Sequence, residues 1–136
     1  MAGQITLEAA EELLGKGYTA PLGLRVEAAD PEELRVRWTV APGQWQPYGI
    51  THGGVYCTVV ETVASIAAAL WLGDEGQVVG VSNHTDFLRA IREGELVATG
   101  TPIHRGRLQQ LWLVEIHDEQ ARLIARGQVR LQNLRD

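Results

Sequence analysis

Residues 55–72, VYCTVVETVASIAAALWL, are apolar on most sides of a helix and carry a single charge, that of Glu61. Gly53 and Gly54 precede this stretch and Gly73 follows it, which predicts one long helix bounded by glycines. A helix that is apolar nearly all round is buried in protein or in a membrane. The run is about as long as a membrane span. Its hydroxyl-bearing residues and the lack of a flanking basic cluster favour burial in protein.

The chain on both sides of this helix predicts strands, because apolar and polar residues alternate with a period of two. The predicted strands are residues 24–28, 34–40, 78–88, 95–104, 110–117 and 122–131. Residues 6–14 predict a short helix with Thr6 as its N-cap, and residues 44–51 predict a loop. This order predicts an α+β fold in which a curved antiparallel β-sheet wraps around one long central helix. The exposed edges of such a sheet favour edge-to-edge pairing of two subunits.

The composition predicts one soluble domain over residues 1–136. Of these residues 45% are hydrophobic and 21% are charged, which is typical of globular proteins. The single Cys57 excludes an intramolecular disulfide, and the first residues have no signal-peptide pattern, so we expect a cytoplasmic protein. The formal net charge of −5 argues against a nucleic-acid partner. We also expect no membrane partner.

Glu61 is the residue best suited to chemistry. An ionised carboxylate in a buried helix is costly unless it is paired, hydrated or used. Ser65 lies one helical turn later on the same face and can orient the carboxylate or a water molecule. The alternative is a structural glutamate that bonds a core hydroxyl, with Ser65 bonding back to its own helix.

The start of the same helix carries His52, Gly53 and Gly54. Helix N-termini present unpaired N–H groups and the positive end of the helix dipole, and glycine lets a ligand approach the backbone. The Gly53 N–H can therefore stabilise a carbonyl oxygen that develops negative charge. Gln46, in the preceding loop, has an amide that can hold a carbonyl or a water molecule. The alternatives are an ordinary glycine turn and a solvated glutamine.

A basic turn follows later in the chain. His104-Arg105-Gly106-Arg107 lies between two predicted strands, and Arg89 lies near the end of an earlier one. Guanidinium groups and turn amides suit phosphate or pyrophosphate, although a solvated turn is the alternative. The sequence contains no Cys/His set for zinc, no glycine-rich phosphate loop and no serine nucleophile elbow. We therefore expect no metal or redox cofactor.

The run QPYGITHGGVYCTVVETVAS, residues 46–65, resembles the hotdog-fold acyl-CoA thioesterases of the PaaI-like superfamily. The most similar branch is that of the Arthrobacter-type 4-hydroxybenzoyl-CoA thioesterase and the 1,4-dihydroxy-2-naphthoyl-CoA hydrolases. The phenylacetate-pathway thioesterases usually have Asn and Asp where this chain has Gln46 and Glu61. The likeness continues through Val79-Gly80 and Arg89 to residues 102–104 and 110–112.

The resemblance implies a hotdog fold and an acyl-CoA thioesterase activity with Glu61 as nucleophile or general base. It also implies that Gln46, His52, Gly53 and Ser65 complete the catalytic set. Glu61 of one subunit would face Gln46, His52 and Gly53 of the other, in a homodimer or homotetramer. The contacts that the resemblance implies for the acyl-CoA substrate are Gly54, Ile66, Gly80, Phe87, Leu88, Arg89, Ala90, His104, Arg105, Gly106, Arg107, Leu108 and Gln109.

Two other functions stay open at this point. A hotdog dehydratase or hydratase also pairs a loop histidine with an acid on the central helix, but its usual pattern is His-Phe-Pro, whereas Gly53-Gly54 follows His52 here. A non-catalytic acyl-CoA-binding protein would not need Gln46, Glu61 and Ser65 together. For the acyl group, Tyr48, Val55, Val59, Ile66 and Phe87 predict an apolar, fairly flat pocket that favours aromatic acyl groups.

Overall fold

The computed structural model describes residues 6–135. In chain order its elements are the helix α1 (Leu7–Leu14), the strands β1 (Arg25–Asp30) and β2 (Glu33–Val40), the helix α2 (Gly53–Leu72), and the strands β3 (Gly76–Phe87), β4 (Gly94–Arg105), β5 (Gln109–His117) and β6 (Leu123–Arg135). Each predicted helix and strand is present, with bounds that differ by a few residues. A 3₁₀ helix, Gly17–Leu22, was not expected from the sequence.

The six strands form one antiparallel sheet in the order β1-β2-β4-β5-β6-β3. Helix α2 packs against strands β2 to β6, so the predicted arrangement of a sheet around one long helix is confirmed. Strands β2, β4, β5 and β6 alternate buried and exposed residues, as a sheet with one covered face requires. The buried faces supply Trp38 and Trp112, the largest fully buried side chains of the core.

The N-terminal ends of both helices are capped by side chains. Thr6 accepts a hydrogen bond from the Ala9 N–H at 3.2 Å, as its type and position predict. His52 is the N-cap of α2, and Gly73 is its C-cap residue. Helix α2 is long and apolar enough to cross a membrane by length and composition alone, but 50% of its most apolar window is buried inside the protein.

Strand β3 lies at one edge of the sheet and is exposed along most of its length. Its free edge carries exposed apolar side chains, with Val79 43%, Val81 54% and Phe87 54% accessible. Its other edge pairs with β6, with a register shift between Gly80 and Ser82. An apolar edge strand with unpaired backbone groups is a surface that pairs readily with another strand.

Candidate functional site

Glu61 lies half-buried on α2, and its two carboxylate oxygens have different partners. Ser65 donates its hydroxyl hydrogen to Oε2 at 3.2 Å, from one turn further along the same helix. Asn83, on β3, donates from Nδ2 to Oε1 at 3.1 Å. The carboxylate lines a small cleft of about 260 Å³ together with Tyr18 and Asn83. An ionised carboxylate held by two neutral donors at the surface of a cleft keeps acceptor capacity for water or a substrate.

Gly80 provides the space in which this carboxylate lies. A Cβ atom at position 80 would overlap Oε2 of Glu61. Any larger residue at this point of β3 would therefore displace the carboxylate from Ser65 and Asn83. The sequence analysis placed Gly80 among the substrate contacts, and the structure places it directly beside the carboxylate.

The N-terminal turn of α2 presents a backbone N–H group that has no acceptor within residues 6–135. Nδ1 of His52 accepts the Gly54 N–H at 2.7 Å, so the imidazole caps the helix and holds the turn. Among residues 6–135, no acceptor takes the N–H of Gly53. This N–H is a free donor at the positive end of a helix dipole, where a developing oxyanion is stabilised.

Gln46 lies beside this turn in a cleft of about 330 Å³. Its side-chain oxygen accepts the N–H of Tyr48, and its backbone N–H bonds the Ile50 carbonyl at 2.8 Å. The carboxamide nitrogen has no acceptor within residues 6–135 and remains available as a donor. Predicted site residues that line the same cleft are Gly53, Phe87, Leu88, Arg89 and Ala90.

The phenol of Tyr56 lies against the floor of that cleft. Burial raises the pKa of Tyr56, and the neighbouring Thr51 acts in the opposite direction. The hydroxyl has no partner in hydrogen-bonding geometry within residues 6–135, and the neighbouring Thr51 hydroxyl donates to the Ile91 carbonyl. At neutral pH Tyr56 is therefore an uncharged residue of the cleft.

The Glu61 cleft and the Gln46 cleft are separate within one chain. Positions 53 and 61 differ by eight on α2, so a rise of about 1.5 Å per residue puts them about 12 Å apart along the helix axis. The Gly53 N–H and the Glu61 carboxylate of one chain therefore lie in different clefts, which share no lining residue.

A third cleft, of about 530 Å³, lies at the hairpin between β4 and β5. It is lined by His104, Gly106, Arg107, Leu108, Gln109 and Gln132. Arg130, which the sequence analysis did not single out, donates to the Gln109 side chain at 3.0 Å, so a second guanidinium contacts a residue that lines this cleft. The hairpin therefore presents positive charge although the chain is acidic overall.

Arg105 and Ile66, which the resemblance places at the substrate, line none of these clefts within residues 6–135. The Arg105 guanidinium packs over the Trp71 and Trp112 rings, at 5.4 and 5.8 Å from their centroids, and bonds the Pro31 carbonyl at 2.6 Å. These contacts tie Arg105 to the rest of the protein, and its side chain is absent from the lining of the hairpin cleft. Ile66 is 8% exposed and belongs to the hydrophobic core, because its face of α2 packs against the sheet. Val59, expected near the acyl group, is 0% exposed.

A further cleft, with a mostly apolar lining, has a volume of about 500 Å³. Its lining includes Tyr18, Trp45, His52, Val55 and Thr58. Tyr18 and Thr58 also line the Glu61 cleft, so the two spaces adjoin. Tyr18 comes from the unexpected 3₁₀ helix, and no pattern in the sequence predicts its position. No group of three or more His, Cys, Asp or Glu side chains within residues 6–135 could hold a metal ion.

Comparisons with known proteins agree with this architecture. A family model described as the thioesterase superfamily matches residues 48–125. The crystal structure of S. sahachiroi AziG is 53% identical, covers 89% of this chain and 98% of its own, and has a TM-score of 0.87. The structure of thioesterase HI1161 from Haemophilus influenzae is 31% identical, with a TM-score of 0.89 and coverage of 96% and 91%. The 1,4-dihydroxy-2-naphthoyl-CoA hydrolase of Escherichia coli is 32% identical over 88% of each chain.

The fold and the relatives together define a thioester hydrolase with the hotdog fold. The chain belongs to the thioesterase superfamily. The resemblance read from residues 46–65 is thereby confirmed, as are the fold class and the enzyme class. The roles of the individual site residues stay predictions.

Proposed function

We propose that the protein hydrolyses an acyl-coenzyme A thioester, with Glu61 as the catalytic carboxylate. The observation that carries this proposal is the carboxylate itself, held by Ser65 and Asn83 at the edge of an open cleft. A purely structural glutamate is expected to have its oxygens enclosed by donors. Glu61 instead retains free acceptor positions beside a cavity that an acyl group can enter.

Glu61 can hydrolyse a thioester by either of two mechanisms. In the first, Glu61 attacks the thioester carbon, the thiolate of coenzyme A leaves, and water hydrolyses the resulting mixed anhydride to free acid. In the second, Glu61 takes a proton from a water molecule as that water attacks the carbonyl, and the thiolate leaves afterwards. In both routes the carbonyl oxygen becomes negative and is stabilised by the Gly53 N–H.

The active site is proposed to form between two subunits. The separation of the Gly53 cleft from the Glu61 cleft supports this, because the two clefts of one chain share no lining residue. The apolar free edge of β3 gives a surface through which two chains can pair. Glu61 of one subunit would then meet Gln46 and Gly53 of the other across a two-fold axis.

The nucleotide end of coenzyme A is proposed to bind at the β4–β5 hairpin. Arg107 is exposed and forms no ion pair within residues 6–135, and Arg130 donates to the side chain of Gln109, which lines the same cleft as Arg107. Guanidinium groups bind phosphate oxygens through several donors at once. His104 and the hairpin backbone would complete the contacts.

The acyl group is proposed to be aromatic. The cavity of about 500 Å³ beside the Glu61 cleft has the rings of Tyr18 and Trp45 in its lining, and both side chains are accessible, at 84% and 40%. Flat apolar walls with a few polar groups favour an aryl ring over a long alkyl chain. The 1,4-dihydroxy-2-naphthoyl-CoA hydrolase named among the relatives acts on a substrate of this class.

Steady-state kinetics on a panel of aryl- and alkyl-CoA thioesters tests the function. Free thiol released on addition of the enzyme is the measurement. We expect hydroxylated benzoyl- and naphthoyl-CoA to be hydrolysed with the highest kcat/KM. Discrimination among similar apolar acyl groups is expected to be about 10- to 200-fold per methylene. Release of thiol from none of the thioesters would contradict the function, and a tenfold preference for palmitoyl-CoA would contradict the aromatic assignment alone.

A further inference from the structure

Asn83 holds the Glu61 carboxylate from outside the helix. Its Nδ2 donates to Oε1 of Glu61 at 3.1 Å and to the carbonyl oxygen of Cys57 at 3.2 Å. Ser65 contacts the other oxygen at 3.2 Å. One oxygen is thus held from β3 and the other from α2, which restrains the rotation of the carboxylate more than either bond alone.

The orientation of the Asn83 amide is fixed by its surroundings. The Cys57 carbonyl and the Glu61 carboxylate are both acceptors, so the NH₂ end of the amide must face them. At the other end, the Thr85 hydroxyl donates to Oδ1 at 2.7 Å. Reversal of the amide would place its oxygen against two acceptors and break both of the bonds that Nδ2 donates.

The irregular register of β3 brings Asn83 to Glu61. In a regular strand, residues that face the same side are separated by two positions. Gly80 and Asn83 are separated by three, yet both lie against the Glu61 carboxylate. The register shift between Gly80 and Ser82 accounts for this, because a bulge changes the face to which the following residues point. The irregularity therefore supplies both the space for the carboxylate and the amide that holds it.

We propose that Asn83 is a positioning residue for Glu61 in thioester hydrolysis, and that Thr85 supports it. This rests on the proposed role of Glu61. Asn83 acts through the carboxylate by keeping Oε1 in one place while leaving acceptor positions open toward the thioester or the water. Geometry of this kind affects the rate of the chemical step, and it contributes less to the binding of coenzyme A.

The test compares Asn83→Ala, Asn83→Asp and Thr85→Val with the wild type. We expect Asn83→Ala to lower kcat about 10- to 100-fold, the effect of losing a hydrogen bond to a charged group, with KM changed less than about twofold. Asn83→Asp has nearly the same shape but puts a second carboxylate beside Glu61, and we expect a loss at least as large. Thr85→Val should lower kcat about two- to fivefold, because the Asn83 amide keeps its bonds to Glu61 and Cys57 but loses the hydrogen bond from the Thr85 hydroxyl.

His84→Ala is the matched control. His84 is the neighbour of Asn83 on the same strand, its side chain is 83% exposed, and its near partner is Asp86. Kinetic constants of this variant should equal those of the wild type. Melting temperature and oligomeric state are measured for every variant, so that a disturbed strand or subunit pairing is recognised.

The same Asn83→Ala substitution in a Glu61→Asp variant distinguishes loss of carboxylate positioning from structural damage to β3. Glu61→Asp retracts the carboxylate by one methylene and so removes it from the reach of Asn83. In that background Asn83→Ala should lower kcat less than about twofold, because a positioning residue without its target has little effect. An equal loss in both backgrounds, or a wild-type kcat for Asn83→Ala, would overturn the inference. Failure of the wild type to hydrolyse any thioester would instead overturn the proposed function.

Discussion

Two polar clusters lie against α2, and they differ in how many of their hydrogen-bonding groups are used. We call them the carboxylate cluster (Glu61, Ser65, Asn83) and the amide cluster (Gln110, Asn133, Trp112). In the amide cluster Gln110 is 0% and Asn133 4% exposed. In the carboxylate cluster, by contrast, Glu61 lies at a cleft.

Every polar side-chain group of the amide cluster has a partner. Gln110 donates to the Asn133 side chain at 2.9 Å and to the Ala68 carbonyl at 3.3 Å, and it accepts the Trp112 indole N–H at 2.8 Å. Asn133 donates in turn to the carbonyls of the β4–β5 hairpin at 3.0 and 3.2 Å. Such a network ties the end of α2 to the sheet and to the hairpin, and it leaves nothing free for a ligand.

The difference shows how similar side chains come to serve different purposes. Buried amides whose donors and acceptors all have hydrogen-bond partners contribute to stability. Removal of one partner leaves another buried polar group without a hydrogen bond, which lowers the stability. Partial exposure with spare acceptors leaves a carboxylate able to react. The two clusters should therefore respond in opposite ways to substitution.

The largest expected effect is that of Glu61→Gln on activity. Gln is nearly isosteric with Glu but can act neither as nucleophile nor as base, so kcat should fall by a factor of about 1000 or more. The free energy of unfolding should change little, because the Gln oxygen can still accept from Asn83 while the Ser65 hydroxyl accepts from the new NH₂ group. Thiol release and denaturant unfolding of the same preparation measure both quantities. Near wild-type turnover would remove Glu61 from the mechanism.

The second-largest expected effect is that of a substitution in the amide cluster on the free energy of unfolding. Gln110→Leu should lower the free energy of unfolding by about 2–4 kcal/mol, because Asn133, Trp112 and the Ala68 carbonyl all lose a partner. The control is Gln128→Leu, whose side chain has no hydrogen bond within residues 6–135 and should cost less than about 0.5 kcal/mol.

Activity completes this comparison. The kcat of folded Gln110→Leu should stay within about threefold of the wild type, because Gln110 contacts none of the Glu61 donors. Urea unfolding gives the stability, and kinetics below the unfolding transition give kcat. Equal stability of the two leucine variants would show that the amide cluster is not the stabilising region that its contacts indicate.

The sequence predicted the elements better than their contacts. Apolar periodicity and flanking glycines located α2 and its glycine-rich start, whereas the capping of that start by His52 is known from the structure alone. These features are local, so neighbouring residues determine them. The order of the strands depends on pairings between distant segments, and the period of two carries no information about which strands become neighbours.

The contacts that were not predicted share a physical cause. Asn83 reaches Glu61 only because β3 shifts register, and a bulge has no simple alternating pattern. Arg105 was expected near a phosphate. Its guanidinium packs over two indole rings and donates to a backbone carbonyl, and these groups come from other segments of the chain. Ile66 is apolar on an apolar helix, and only the packed sheet decides which face is covered.

Mixed dimers test the central claim most directly, because they require both the carboxylate of Glu61 and a site shared with the partner's Gln46. Glu61→Ala and Gln46→Ala are each purified, shown to be nearly inactive, and then mixed under conditions that exchange subunits. Random exchange makes about half of the dimers mixed, and one of the two sites in each is free of both substitutions, so about a quarter of wild-type activity should return. Mixed dimers that form, as shown by differently tagged subunits, and stay inactive would contradict the shared site.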